Sequence, residues 1–280
     1  MIASRAFRAV VRSPLSVLTL AVGIGSLSAA YALVDAAFWP PTGIPSPDEL
    51  FVVTDRTSAT PSKLSEADAA SVLGRLAPMA TVATWSTHSA VLRTDNAGRR
   101  VLFELVSPGY FSTLGLEPVD GRLMSTADAA DQGAPAAVVS LALSRALFKS
   151  SHDAVGARAL LGGTEVVIVG VVPSTFRGVS GASDVWLPDS NRPIATTGAA
   201  GAPRQRGVAI RLRSQERRRG AAAALSDLAA TLNAVDASGG PARSSGSAAA
   251  ARPWTLAPAV RNPSLSAAPG TLAVFLLVPA

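Results

Sequence analysis

The longest apolar stretch of the chain, SPLSVLTLAVGIGSLSAAYALV, covers residues 13–34 and holds 22 positions without a charge. As a helix it would measure about 33 Å, the thickness of a bilayer's hydrocarbon core. Together with Ala36, Ala37 and Phe38 it predicts a transmembrane helix over residues 13–38, and Trp39 suits the headgroup interface behind it. Arg5, Arg8 and Arg12 precede the run, whereas Asp35, Asp48 and Glu49 follow it. That asymmetry places residues 1–12 in the cytoplasm and everything beyond the helix outside it. A second reading stays open here. The basic start, the apolar stretch and the Ala30-Tyr31-Ala32 site also fit a secretory signal peptide. At the far end, TLAVFLLVPA (residues 271–280) is apolar with no polar residue after it. A helix of that length reaches about 15 Å, half a bilayer. Residues 269–280 therefore predict the start of a truncated second membrane helix, and the chain reads as a fragment of a longer membrane protein.

Between these segments, residues 39–268 predict an external domain of mixed strands and helices, class α+β. Leu50 to Val53 reads as a strand. Ser65 caps a helix with Glu66 and Asp68 in its first turn and Ala69, Val72, Leu73 and Leu76 on one face. Strands over 81–94 and 99–106 flank the turn Asp95-Asn96-Ala97-Gly98, and Ser107-Pro108-Gly109 opens a short helix carrying Tyr110, Phe111 and Leu114. A strand over 136–140 leads into a helix through Leu143, Leu147 and Phe148. A hairpin joins 157–161 to 164–172 across Gly162-Gly163. Its second arm, VVIVGVV (166–172), is β-branched throughout and predicts a central strand with at least two of Val167, Ile168 and Val169 buried. Asp184 to Leu187 is a further short strand. From 207 to 213, Val208, Ile210 and Leu212 point inward and Arg211 and Arg213 outward. A helix follows with Leu225, Leu228, Leu232 and Val235 on one face. Residues 237–253, built only of Ala, Ser, Gly, Pro and Arg, predict a flexible loop before a strand at Trp254-Thr255-Leu256.

Charge narrows the function. The net charge is +6, of which the N-terminal flank contributes +3 and residues 204–219 another +6, seven arginines less Glu216. Removing this +9 leaves −3 for the rest of the chain, so the basic character describes two segments and gives no support to nucleic-acid binding. There is no cysteine, hence neither a disulfide framework nor a thiolate metal site.

Motifs for chemistry are missing as well. No G-x-x-x-x-G-K-[ST] loop occurs. Gly23-Ile24-Gly25 lacks the third glycine of a dinucleotide loop and falls in the predicted membrane helix, where Ala21, Gly25 and Ala29 suit close helix packing. Gly178-Val179-Ser180-Gly181 is not the G-x-S-x-G of a nucleophile elbow. His88 and His152 have no second ligand at helical spacing. No residue is assigned a catalytic, cofactor-binding or metal-binding role, and no cofactor is expected.

Six stretches nevertheless resemble one family in order. VSPGYFSTLGLEPVDGRLM (106–124) is similar to the strand, Tyr-Phe helix and Gly-Arg turn of MacB-like ABC transporter permeases. AAVVSLALSRALF (136–148), TEVVIVGVVPSTFRGV (164–179) and DVWLP (184–188) resemble successive parts of that family's periplasmic core domain. TLAVGIGSLSAAYALVDAAFWPP (19–41) resembles its first membrane helix, and PSPDELFVV (45–53) its first external strand. The pattern is nearest to the duplicated orphan permeases of acidobacteria. The resemblance implies a non-enzymatic permease subunit in the bacterial inner membrane, N-terminus cytoplasmic and main domain periplasmic. It further implies a homodimer, a separate cytoplasmic ABC ATPase whose hydrolysis drives export or periplasmic mechanical work, and a periplasmic partner protein. The alternatives are a signal-bearing secreted binding domain and, behind it, a periplasmic hydrolase.

Overall fold

Strands of alternating burial dominate the unit Thr42–Val260, one of two into which the chain divides; the other comprises Met1–Pro41 with Arg261–Ala280. The computed structural model describes residues 21–26, 28, 43–55, 61–95, 97–130, 133–148, 150–189, 205–237 and 252–259. Residues 21–26 are helical, with Val22 and Ile24 60% and 59% exposed. The rest of the predicted helix 13–38, and all of 269–280, lies outside the described residues. Among those described, no helix is long and apolar enough to cross a membrane.

Eleven strands form the sheet: β1 (Leu50–Asp55), β2 (Leu64–Ser65), β3 (Thr81–Arg93), β4 (Gly98–Val106), β5 (Asp120–Gly121), β6 (Ala136–Ser140), β7 (Arg158–Leu161), β8 (Thr164–Val172), β9 (Val185–Pro188), β10 (Gln205–Arg211) and β11 (Trp254–Pro258). Their order is β11-β1-β10-β3-β4-β9-β6-β8-β5, with β2 beside β10. β7 pairs with both β3 and β8, so β3, β4, β9, β6, β8 and β7 close into a ring. Closure satisfies the strand edges that an open sheet would leave bare. Two pairs, β4 with β9 and β6 with β8, are parallel. Among the described residues of this unit, six α-helices accompany the strands: α1 (Glu66–Leu76), α2 (Tyr110–Leu114), α3 (Thr126–Ala130), α4 (Leu141–Leu147), α5 (Ser151–Ala154) and α6 (Gln215–Ala237). Serine hydroxyls cap α1, α4 and α5, accepting from Asp68, Leu143 and Asp153 backbone N–H groups at 3.1 Å each.

Three cores follow from this plan. The ring interior is filled by Leu92, Phe103, Val139, Leu161, Ile168 and Leu187 among others. α1 and α6 cover one face of β1, β10 and β11 through Val72, Leu76, Leu225, Val208 and Ile210. The third core lies under α2, around Tyr110, Phe111, Phe176 and Trp186. The strand over 166–172 is flanked on both sides, as expected of an interior strand, but its burial differs from the expectation. Of the three residues Val167, Ile168 and Val169 only Ile168 is fully buried; the two valines are half-buried. The reason is alternation: Val167 and Val169 flank Ile168 and take the opposite face of the strand. A bulge follows, where Ala137 pairs with Ile168 but Val138 with Gly170, so that Val169 has no partner in the ladder. Val166 and Ile168 face the ring before the bulge, and Val171 after it.

The bulge is filled by backbone from β5. Arg122 N–H donates to Val169 C=O at 2.9 Å, and a Cβ on Gly170 would stand 2.0 Å from the Arg122 carbonyl oxygen. Gly170→Ala should therefore lower the thermal midpoint by several degrees. Gly220→Ala, in α6 with nothing within 4 Å of the added methyl, should leave it unchanged or raise it slightly. Equal midpoints for the two variants would contradict this account of the bulge.

Other sequence expectations are adjusted. Val235 is 51% exposed and does not share the buried face of Leu225. Within the predicted loop 237–253, Ala237 is the last residue of α6. Arg252 is held by Asp236 at 2.6 Å and by Asp68 at 3.3 Å; residues 238–251 lie outside the described set.

Candidate functional site

β4 reads VLFELV from Val101 to Val106, and its alternation puts Val101 and Phe103 inside the ring. Glu104 therefore points to the outer face, where a carboxylate would ordinarily meet water. Instead it is fully buried. Three separate segments supply its donors. Tyr110, at the start of α2, donates its hydroxyl to Oε2 at 2.6 Å. Trp186, the direct partner of Glu104 across the parallel β4–β9 pair, donates Nε1–H to the same oxygen at 2.9 Å. The backbone N–H of Ser180, in the loop between β8 and β9, donates to Oε1 at 3.1 Å. That loop is also tied to the tyrosine, because Val179 N–H donates to the Tyr110 hydroxyl at 3.0 Å. Gly178 allows the approach: its φ is +78°, and a Cβ there would lie 2.4 Å from Glu104 Oε1.

Aromatic rings seal the carboxylate. Phe176 stacks on Trp186 at 5.0 Å between centroids, and Phe111 meets Tyr110 edge-on at 5.3 Å. Burial pushes the Glu104 carboxyl above its ordinary range, against the opposing effect of its donors. Burial and then the neighbouring carboxylate raise the Tyr110 hydroxyl well above its usual value.

Two arginines extend the construction. Arg177 pairs with Asp184 at 2.8 Å, and Asp184 also accepts from Ser140 at 2.8 Å, joining loop, β9 and the start of α4. Arg211, expected to face solvent, has a side chain only 8% exposed. It faces away from the α1–α6 core as predicted, but α2 and the incoming segment cover it. Its guanidinium donates to the Thr113 and Leu114 carbonyls at 2.6 and 2.8 Å, to Pro45 C=O at 3.2 Å and to Glu49 at 3.1 Å. Those carbonyls belong to the C-terminal turn of α2, where a cation is favoured. Arg211 thus fastens the chain's incoming segment to the helix that carries Tyr110.

These groups hold segments together. His88 Nε2 hydrogen-bonds Ser86 Oγ at 2.9 Å and its ring packs on Phe103, while His152 is largely exposed beside Asp120 at 3.8 Å. Ser180 Oγ pairs with Ser183 Oγ at 3.1 Å. Among the described residues no three of His, Asp and Glu come together as metal ligands would. Gly23, Gly25 and Ala21 are in described helix, but Ala29 lies outside it. Sequence reading did not single out Glu104. The available signal was a lone charge between Phe103 and Leu105 in an otherwise apolar strand.

The geometry gives meaning to the order of motifs read from the sequence: VSPGYF and DVWLP each deliver one donor to Glu104, and PSTFRGV leads into Ser180, which delivers the third, while its own Val179 holds the Tyr110 hydroxyl. A family model described as the MacB-like periplasmic core domain matches residues 13–228. No curated protein matches the chain. Among solved structures, the periplasmic region of MacB from Actinobacillus actinomycetemcomitans aligns with a TM-score of 0.51 at 14% identity, over 85% of this chain and 96% of that one. The extracellular domain of the ABC-type transporter YknZ from Gram-positive bacteria aligns with a TM-score of 0.51 at 17% identity, over 74% of this chain and 99% of that one. At such identities the likeness is one of fold.

Proposed function

Because the chain belongs to the MacB-like periplasmic core domain family, we propose that it is part of an ABC-type transporter permease whose external domain relays motion generated by ATP hydrolysis in the cytoplasm. The observation that carries this reading is the extent of the family match, which begins at residue 13 and so takes in the uncharged run as well as the external unit. On this reading residues 13–38 cross the inner membrane with the N-terminus inside, and the domain works in the periplasm as one half of a homodimer. The rigid construction around Glu104 and Arg211 is what a force-bearing part needs: the incoming segment, α2, β4 and the 177–183 loop must move as one body. On this reading the external domain does no chemistry of its own, and a cytoplasmic ABC ATPase partner, which membership of the family implies, supplies the energy.

The test is ATPase activity of the purified permease in lipid, with and without its partner subunit. Activity is expected only in the complex, lost when the phosphate-loop lysine of the ATPase is replaced. Equal turnover by the permease alone would overturn the reading. Orientation is checked by fusing a reporter active only in the periplasm at Ser190, where it should work, and before Arg12, where it should be silent. Loss of an N-terminal tag from the mature protein would instead favour a cleaved signal and a secreted domain.

A further inference from the structure

A single layer of chain separates the Glu104 carboxyl from water. Ser180 is exposed, yet its amide and its hydroxyl both bond the fully buried carboxyl beneath. The loop that carries it is closed on itself at its base. Ser183 N–H donates to Arg177 C=O at 2.8 Å, Gly181 N–H to Gly178 C=O at 3.1 Å, and the Arg177 guanidinium binds Asp184 and the Ala182 carbonyl. Among the described residues, every hydrogen bond that residues 178–182 make outside this loop ends on Glu104 or Tyr110, beside the packing of Val179 on the core. What changes the carboxyl therefore changes the attachment of the loop.

The geometry also places a proton. Oε2 already accepts two donors, from Tyr110 and Trp186. A proton on the carboxyl thus sits on Oε1, where the Ser180 hydroxyl can accept it and turn its own hydrogen to Ser183 Oγ, 3.1 Å away. An ionised carboxyl has only neutral donors around it. The charged groups of the surrounding elements are committed elsewhere: Arg177 to Asp184, and Arg211 to Glu49 and the carbonyls of α2. On β4 the nearest cation is Arg100, exposed and four positions away; β9 and α2 carry no charged residue. His88 of β3 packs on Phe103, which takes the other face of β4. Tyr110, raised well above its usual value, keeps its proton throughout.

We propose that the loop over residues 177–183 is a proton-operated latch, closed over Glu104 while the carboxyl is protonated and released when the carboxyl gives its proton to water. The inference does not rest on the transporter reading; it makes this unit responsive to the acidity of its surroundings. Release frees the loop from α2 and β4, while Arg211 keeps its hold on the incoming segment. The sign follows from linkage. Burial holds the closed-state carboxyl above its ordinary value of 4.5, and opening lets water restore that value. Closure is therefore complete below 4.5. It weakens about ten-fold for each pH unit between the ordinary and the raised value, and levels off above the raised one.

Hydrogen exchange of the full chain, read by mass spectrometry and corrected for the intrinsic pH dependence of amide exchange, follows the latch on the segment 177–183. Protection there should decline with rising pH by about ten-fold per unit over the window above, while that of β7 and β8 stays constant. In Glu104→Gln, which carries a neutral side chain at every pH, protection of the segment should not vary. Infrared difference spectra of the parent give a second measurement that needs no variant. The band of a protonated carboxyl should vanish over the same pH range as the protection. Constant protection in the parent, or an equal decline in Glu104→Gln, would overturn the latch. So would a carboxyl band lost near 4.5 while the loop stays closed at higher pH.

Discussion

Ile168→Asp should leave no cooperatively folding external unit. Ile168 is fully buried in the ring among apolar neighbours such as Phe103, Leu161 and Val139. Placing a carboxylate there costs about 5 kcal/mol or more, comparable to the whole stability of many domains. Leu160→Asp is the control. It lies on the neighbouring strand β7 but is 46% exposed, and should shift the melt by less than about 1 kcal/mol. The measurement is thermal unfolding of the full chain followed by circular dichroism. A melt for Ile168→Asp like that of the parent would refute the ring interior as described.

The second large effect is expected at Glu104. Truncation to alanine leaves the Tyr110 hydroxyl, the Trp186 indole N–H and the Ser180 amide without acceptors in a sealed site, at a cost of about 3–5 kcal/mol. Glutamine can still accept from the two donors that share Oε2, but its amide group faces the Ser180 N–H, so it should lose about 1–2 kcal/mol. The variants also differ in pH dependence. The Glu104 carboxyl is raised in the folded state, so the native protein holds its proton over a window where the unfolded chain has released it. The stabilising contribution is thus complete below the unfolded value near 4.5 and declines as pH rises towards the raised native value. Glutamine has no such proton. Melts from acid to neutral pH should show the parent losing its advantage over Glu104→Gln as pH increases. A constant difference would mean that the carboxyl is not raised.

Much of the local structure could be read from the sequence because its causes are local. The serine cap of α1, the hairpin across Gly162-Gly163 and the inward set Val208, Ile210 and Leu212 depend on residues a few positions apart. The mixed α and β character followed from the same periodicities, and the order of motifs was enough to point to the family.

Pairing between distant segments was not legible in this way. Nothing near β7 says that it will bridge β3 and β8 and so close the ring, because that choice is made by strands some 70 residues apart. The bulge at Val169 has the same origin. A uniformly β-branched run carries no mark of where the ladder slips, and Arg122 with its flanking backbone selects the point by bonding there. Period two alone made Arg211 solvent-facing, and it identified the correct side of the strand; Glu104 likewise takes the face opposite Phe103. What it could not supply was the cover. The loop carrying Ser180 arrives 76 residues after Glu104, and the segment carrying Glu49 precedes Arg211 by 162. Alternation in a strand determines which face a side chain takes, because adjacent Cα–Cβ bonds point oppositely. Whether that face stays wet is decided only when the rest of the chain packs against it.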